Sequence, residues 1–298
     1  MRLSRQKPGR PRAAMLGVGK PSWFNLLFIL PFLIGYVLLL VYPVFNGFWL
    51  SLHEIDQLSD SSEFVGLANF ARLFTDEIFR GTVWNTFYFI FLTTPVFVSL
   101  GLALALALNR PGKTGAALRA IFFGSSVLSV TIVTLVWRLV LMPDRGMLAN
   151  ILHALGLPSI APLASEALAL PSIALVTVWW IVGLPMMLFL SALQQIPQDI
   201  YEAAALDNAS RWRTFVSITL PSIKRTVALV AIIEVILQFQ LFGQAQLLTQ
   251  GGPNNATSLL LYYIYETSFK FWDTGYGATL TMVLLTGLAL GGGAVSIP

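Results

Sequence analysis

The chain has 298 residues, of which 56% are hydrophobic and only 11% charged, and its mean hydropathy is +0.75. A soluble domain carries about 25% charged residues, so a soluble globular protein is excluded, as is a disordered one, and lipid is the expected burial medium. The absence of cysteine and the presence of only two histidines, His53 and His153, exclude a thiolate nucleophile, a Cys/His zinc site and a multi-histidine metal centre.

A helix that crosses a bilayer needs about 20 mostly apolar residues. Six runs meet this condition, at about 23–50, 84–108, 120–137, 167–193, 227–248 and 277–297. The first is interrupted by Pro31, Gly35 and Pro43, and is too long for a cleavable signal peptide. The second and third carry no charge. Pro171 and Pro185 break the fourth, the fifth holds one acid, Glu234, and the last is glycine-rich. The chain stops at Pro298 without basic residues after this last run, as if the final helix were cut short.

The net charge of +4 matters through its placement. Arg2, Arg5, Lys7, Arg10, Arg12 and Lys20 precede the first run. Arg110, Lys113 and Arg119 follow the second, and Arg211, Arg213, Lys224 and Arg225 follow the fourth. The remaining connections hold Glu54, Asp56, Asp60, Glu63, Asp76, Glu77, Asp144, Glu166, Glu266 and Asp273. The positive-inside rule makes the basic side cytoplasmic, with both termini on it. The expected architecture is an all-α membrane protein of about six helices, with a basic amino-terminal segment (1–22) and one transmembrane domain (23–298). Arg138 and Arg145 are expected to anchor at lipid headgroups. Nucleic acid is not an expected partner, because the basic amino terminus is short and leads straight into a span.

The cytoplasmic loop 194–226 is the most informative stretch. Asp199 and Glu202 have the spacing of a capping box, and both acids suit the positive end of a helix dipole. Ala203, Ala204 and Ala205 favour helix and leave a thin surface that another protein could approach. After Asp207, Asn208 stands where the helix should stop, in a conformation that Asn tolerates. A second short helix should carry Trp212, Phe215 and Val216 on one face and end at Pro221. Two short helices joined at a bend make a knob.

This loop resembles the EAA loop of ABC importer permeases. The residues that carry it are Glu202-Ala203-Ala204, then Asn208 after three residues, then Ile218-Thr219-Leu220-Pro221 after nine more. Asn208 departs from the family's usual glycine. Phe64-Val65-Gly66-Leu67-Ala68-Asn69-Phe70 and Leu247-Leu248-Thr249-Gln250-Gly251-Gly252-Pro253, with Tyr265 and Phe269 beyond, resemble the corresponding stretches of carbohydrate importer permeases of the maltose and glycerol-3-phosphate type. The resemblance runs from about residue 24 to the end. It implies a type I importer permease fold in the bacterial inner membrane. It also implies that Glu202, Ala203, Ala204, Ala205, Asp207, Asn208, Ala209, Ile218, Leu220 and Pro221 form the coupling region, which docks on an ATPase. The implied partners are a second permease, two ABC ATPase subunits that hold the ATP and magnesium, and an external solute-binding protein. This chain itself would bind no cofactor.

A charge in mid-span costs at least about 2.5–3.5 kcal/mol on insertion scales, so Glu234 should face a polar cavity or a partner. Gln238 lies one turn on, and Gln240, Gln244 and Gln246 follow. Carboxylates and amides suit hydroxyl-rich cargo, and Trp179 and Trp180 could cover sugar rings or sit at the membrane interface. The resemblance places the fourth and fifth spans along the pathway, which adds Gly183. Gly251, Gly252, Pro253 and Asn254 should form a tight turn that helps receive the binding protein. The expected cargo is a neutral di- or oligosaccharide or polyol, with glycerol-3-phosphate or another polar solute as the alternative. No Gly-x-x-x-x-Gly-Lys-Ser/Thr loop occurs, so the chain is not the ATPase. A stand-alone channel or secondary transporter should show charged relays or inverted repeats. A membrane enzyme should show paired titratable groups.

Overall fold

The computed structural model describes residues 23–56 and 61–293. The basic segment 1–22, Asp60 and the end of the last expected span lie outside the described residues. By internal contacts the chain divides into residues 1–46 and 47–298. The first helical stretch comprises α1 (Trp23–Tyr36), a π-helical turn (Val37–Val41) and α2 (Tyr42–Ser51). Its Leu27–Ser51 portion is long and apolar enough to cross a membrane.

Beyond α2, β1 (His53–Asp56) and β2 (Ser61–Phe64) form a short antiparallel hairpin in which His53 pairs with Phe64 and Asp56 with Ser61. Helix α3 (Ala68–Thr75) leads into α4 (Glu77–Leu108), the longest helix and the second that could cross a membrane unbroken. Asp76 caps α4 by accepting from the amides of Ile78 and Phe79. Helices α5 (Lys113–Ser125), α6 (Val130–Val140), α7 (Met147–Ala154), α8 (Glu166–Ile181) and α9 (Gly183–Gln194) follow. The chain then forms α10 (Gln198–Leu206), α11 (Arg211–Thr214), α12 (Leu220–Phe239), α13 (Gly243–Leu248), α14 (Leu260–Tyr265) and α15 (Thr274–Gly293).

The third expected span, 120–137, is not one helix. Helices α5 and α6 meet at 92°. Serine is the cause. Ser125 Oγ donates to the carbonyls of Phe122 and Trp180, Ser126 Oγ donates to Trp180, and Ser129 caps α6. These side chains offer the backbone polar partners outside the helix ladder, which a break at membrane depth requires. The fourth span bends by 47° between α8 and α9. Pro185, in the first turn of α9, cannot donate to the fourth carbonyl before it. Pro171, by contrast, sits inside α8 without breaking it. The fifth expected span, 227–248, is interrupted at residues 240–242, between α12 and α13.

Within residues 47–298, α4 is the axis on which α8, α9, α12 and α14 pack. Phe89 joins Val133, Ile173, Val176 and Tyr262 in one cluster, and Ala105 joins Met186, Phe189, Ile223 and Val230 in another. A third cluster, with Leu73, Tyr263, Tyr276 and Leu280, gathers α3, α14 and α15. A Cβ on Gly101 would lie 2.8 Å from Pro185 Cβ, so glycine lets α4 and α9 touch.

Candidate coupling surface and translocation core

Pro197 starts α10, and it shifts Asp199 from the capping position to the second residue of the helix. The expected capping box is therefore not formed, because no side chain caps the helix. Asp199 still stands in the first turn, where the helix dipole favours an acid. The far end follows the expectation closely. Asn208 has φ +52°, the Ala209 amide donates to Ala204 over 3.0 Å, and the Asn208 amide donates to Ala205 over 3.1 Å. These two bonds are the Schellman closure.

The three alanines are not equivalent. Ala203 and Ala205 are exposed, whereas Ala204 is buried, so only two of the three belong to an outward face. Glu202, Asp207 and Asn208 are exposed beside them, Ala209 is half-buried, and Leu206 stands 84% exposed at the tip. Sequence reasoning passed over Leu206. Its signal was an apolar residue at the end of a helix that has a polar outer face.

Pro221 does not end the second helix of the loop. The amide of Leu220 bonds to Phe215 across a π-turn at Phe215–Thr219, and α11 runs on through this turn into α12. The wider turn accommodates a proline that has no N–H to give. Ser222 Oγ donates to the Ile218 carbonyl over 2.6 Å. Tyr201 of α10 shares a 3.1 Å hydrogen bond with Thr219, which ties the knob to this helix. A cleft of about 730 Å³ lies on one side of α10, lined by Asp199, Ala203, Asp207, Arg213, Ser217 and Ile218. On the other side a groove of about 690 Å³ is lined by Leu106, Ala205, Trp212 and Phe215. Leu220 and Pro221 line neither: Leu220 is half-buried and Pro221 is exposed beside them.

In α12, Gln238 Nε2 donates to Glu234 Oε2 over 3.1 Å. Both residues are only 1% exposed, and Gln238 Oε1 has no protein donor. The pair is thus enclosed by the chain's own helices in this conformation. Gln240 is exposed at the break after α12. Trp179 is exposed and meets Trp137 edge-on at 5.4 Å. Trp180 serves the fold, since its Nε1 donates to Leu128 and its carbonyl receives Ser125 and Ser126. Gly183 also serves packing, because a Cβ there would clash with the Phe122 carbonyl and lie 2.7 Å from Phe123 Cα. Gly243 similarly lies against Val130. Three helix breaks, at 126–129, 182 and 240–242, are therefore stitched together.

Residues 250–258 form a tight turn. Gln250, Gly251, Asn254 and Asn255 all have positive φ, and the Gly252–Pro253 peptide is cis. The Tyr262 hydroxyl donates to the Gln250 carbonyl over 2.9 Å, Asn85 donates to the carbonyls of Asn255 and Ser258, and the Asn254 amide donates to Glu166. Gly251 is buried under the Tyr262 ring, Gly252 and Pro253 are half-buried, and Asn254 and Asn255 are exposed at the tip. One polar network at this end went unforeseen. Asp76 Oδ2 accepts the hydroxyls of Tyr263 and Tyr276, each at 2.6 Å, and Arg72 pairs with Asp273. Partial burial raises the pKa of Asp76, but these hydroxyls and the Phe79 and Ile78 amides outweigh burial and hold it below its ordinary value. Among the described residues no group of three His, Cys, Asp or Glu side chains is arranged to hold a metal.

The family described as the binding-protein-dependent transport system inner membrane component matches residues 77–295. The trehalose/maltose transport system permease protein MalF of Thermococcus litoralis is 33% identical over 260 residues, covering 86% of this chain and 87% of its own. The sulfoquinovosyl glycerol transport system permease protein SmoG of Agrobacterium fabrum is 31% identical over 259 residues, covering 87% and 84%. In fold, the chain is similar to a subunit of a bacterial alginate ABC transporter solved in complex with alginate pentasaccharide-bound periplasmic protein. The TM-score is 0.79 at 22% identity, with 90% of this chain and 92% of that one covered. The chain belongs to the family of binding-protein-dependent transport system inner membrane components: it is a multi-pass membrane permease subunit of an ABC importer, not an enzyme.

Proposed function

We propose that this permease carries a neutral sugar, a di- or oligosaccharide or a polyol, in concert with a second permease, two ATPase subunits and an external solute-binding protein. The relatives' printed cargoes, trehalose/maltose and sulfoquinovosyl glycerol, support a sugar. Glu234 disfavours an anion through like-charge repulsion in a low-dielectric site. The amino-terminal segment 1–22 and loop 194–226 belong on the cytoplasmic side, with 23–298 as the transport domain.

The observation that carries the reading is α10. It is short, tied at its base by Tyr201, closed by Asn208, and flanked by two grooves, with Glu202, Ala203, Ala205 and Leu206 outward. Such a knob can transmit a push from an ATPase into α12, because the helix from Arg211 to Phe239 is continuous. Glu234 and Gln238 ride on that same helix. Movement of α12 away from α4 and α9 would bring the pair to the pathway, in the manner of alternating access about broken helices. Asn254 at the tip of the 250–258 turn is the contact for the binding protein.

Purification through a tag on this chain, from cells expressing it at native level, should recover an ATPase and a second permease. Reconstituted with its binding protein, the complex should hydrolyse ATP faster when sugar is present. Recovery of the chain alone, with transport intact, would refute the assembly.

A further inference from the structure

Helix α7 lies between the end of α6 and the start of α8, at the end of the spans opposite α10. Seven residues on successive turns divide its surface. Met147, Ile151 and Leu155 follow one another at four-residue spacing, so they form a stripe along one side. They are 59%, 47% and 68% exposed. Leu148 beside this stripe packs on the cluster of Val133, Leu141 and Leu170, and Ala149 is buried. Asn150 and His153 point away from both and are exposed. The helix therefore has three sides: one on the protein, one apolar and uncovered, and one polar.

Its position fixes what can cover the apolar side. A Cβ on Gly146 would lie 2.5 Å from the Met142 carbonyl and 2.6 Å from that of Val140. The chain thus turns sharply, and α7 begins directly at the end of α6. The outward face of α6, with Ile132, Leu135, Val136 and Leu139, is itself apolar and exposed, and α7 follows within six residues of the helix end. Arg138 and Arg145 are both exposed there, and the charges of these two cations complement lipid phosphates.

We propose that α7 is an interfacial helix, lying in the leaflet opposite α10 with Met147, Ile151 and Leu155 turned into the acyl boundary, Asn150 and His153 in water, and Arg138 and Arg145 at lipid phosphates. A helix with this division of faces sinks its apolar side into the region between headgroups and acyl chains. The arrangement holds the turn between the third and fourth spans against the membrane while the broken helices below it move.

The natural chain contains no cysteine, which makes the test direct. Met147→Cys, Ile151→Cys, Leu155→Cys, Asn150→Cys and His153→Cys are each labelled with an environment-sensitive fluorophore in the purified complex and reconstituted into phosphatidylcholine–phosphatidylglycerol vesicles. Lipids brominated near the headgroup end of the acyl chain should quench labels at 147, 151 and 155 at least about twofold more than labels at 150 and 153, and aqueous iodide should do the reverse. Iodide quenching at 151 and 155 equal to that at 150 would overturn the proposal. Protection of the stripe from both quenchers would overturn it too, because a protein surface would then be the cover. Neither readout depends on transport or on which sugar is carried.

Discussion

Gly183 faces the Phe122 carbonyl so closely that a single methyl group would clash with it and with Phe123 Cα. The glycine at the bend of the fourth span is thus the point where the third span's first half presses on it. Gly183→Ala should destabilise the complex by about 1–3 kcal/mol, the usual cost of overpacking, read as a lower melting temperature. A variant with unchanged melting but altered sugar preference would return Gly183 to the pathway.

The outward side of α10 makes a prediction that separates its residues. Leu206→Asp should leave the amount of inserted permease unchanged and weaken ATPase recovery. Loss of one buried leucine contact is worth about 1.5–3 kcal/mol, or tenfold and more in affinity. Ala204→Arg should instead lower stability, because Ala204 is buried in the chain's own fold. If Leu206→Asp couples ATP hydrolysis to transport normally, the docking face lies elsewhere.

At the end of α10 the left-handed conformation of Asn208 can be tested by substitution. Asn208→Gly should be neutral or slightly stabilising, and should keep coupling. Asn208→Val should lose about 1–2 kcal/mol, the cost of that conformation for an ordinary side chain. The comparison is read by thermal melting and by sugar-stimulated ATPase activity. Equal behaviour of the two variants would mean that the closure of α10 is unimportant.

What could be read in the sequence were the features that depend on a few neighbouring residues. Pro185 at the bend of the fourth span and the Asn208 stop act locally, and both reappear in the structure where their chemistry put them. The breaks were harder. Residues 120–137 look like a continuous span because Ser125, Ser126 and Ser129 are polar only through their hydroxyls, and the partner that makes the break favourable, the Trp180 carbonyl, lies more than fifty positions away. Pro221 misled for the opposite reason, since a π-turn absorbed it. The same distance hid the Asp76 network. Asp76 stood out in the sequence only as one of the acids in the connections, and Tyr263 and Tyr276 reach it only after the chain has returned.

That network has a pH signature. Because the folded pKa of Asp76 is lowered, its contribution is present above the ordinary value of 3.8 and is lost as pH falls through the depressed folded value. At pH 7, Asp76→Asn should melt below the parent. Two charge-assisted bonds at about 1.5–3 kcal/mol each set an upper limit, reduced because the site is only half-buried. The gap should narrow as the pH at which both proteins are melted falls progressively below 3.8. A gap that persists unchanged in acid would assign the effect to packing instead.

Glu234 and Gln238 carry the last and most demanding prediction. They sit four residues apart on one face of α12, joined by a hydrogen bond and almost fully enclosed. Burial alone is compatible with a pair that only holds helices together, so the variants must separate glue from cargo contact. Glu234→Gln keeps the size and the capacity to accept from Gln238, but removes the charge. If the carboxylate meets sugar hydroxyls when α12 moves, the variant should assemble normally and lose transport by roughly tenfold per bond of 1.4 kcal/mol. Gln238→Leu should then lower transport as well, because an amide that can both donate and accept is lost. If the pair is glue, Gln238→Leu should lower the melting temperature while Glu234→Gln transports at the parental rate. That second pattern would remove both residues from the pathway, whatever happens at α10.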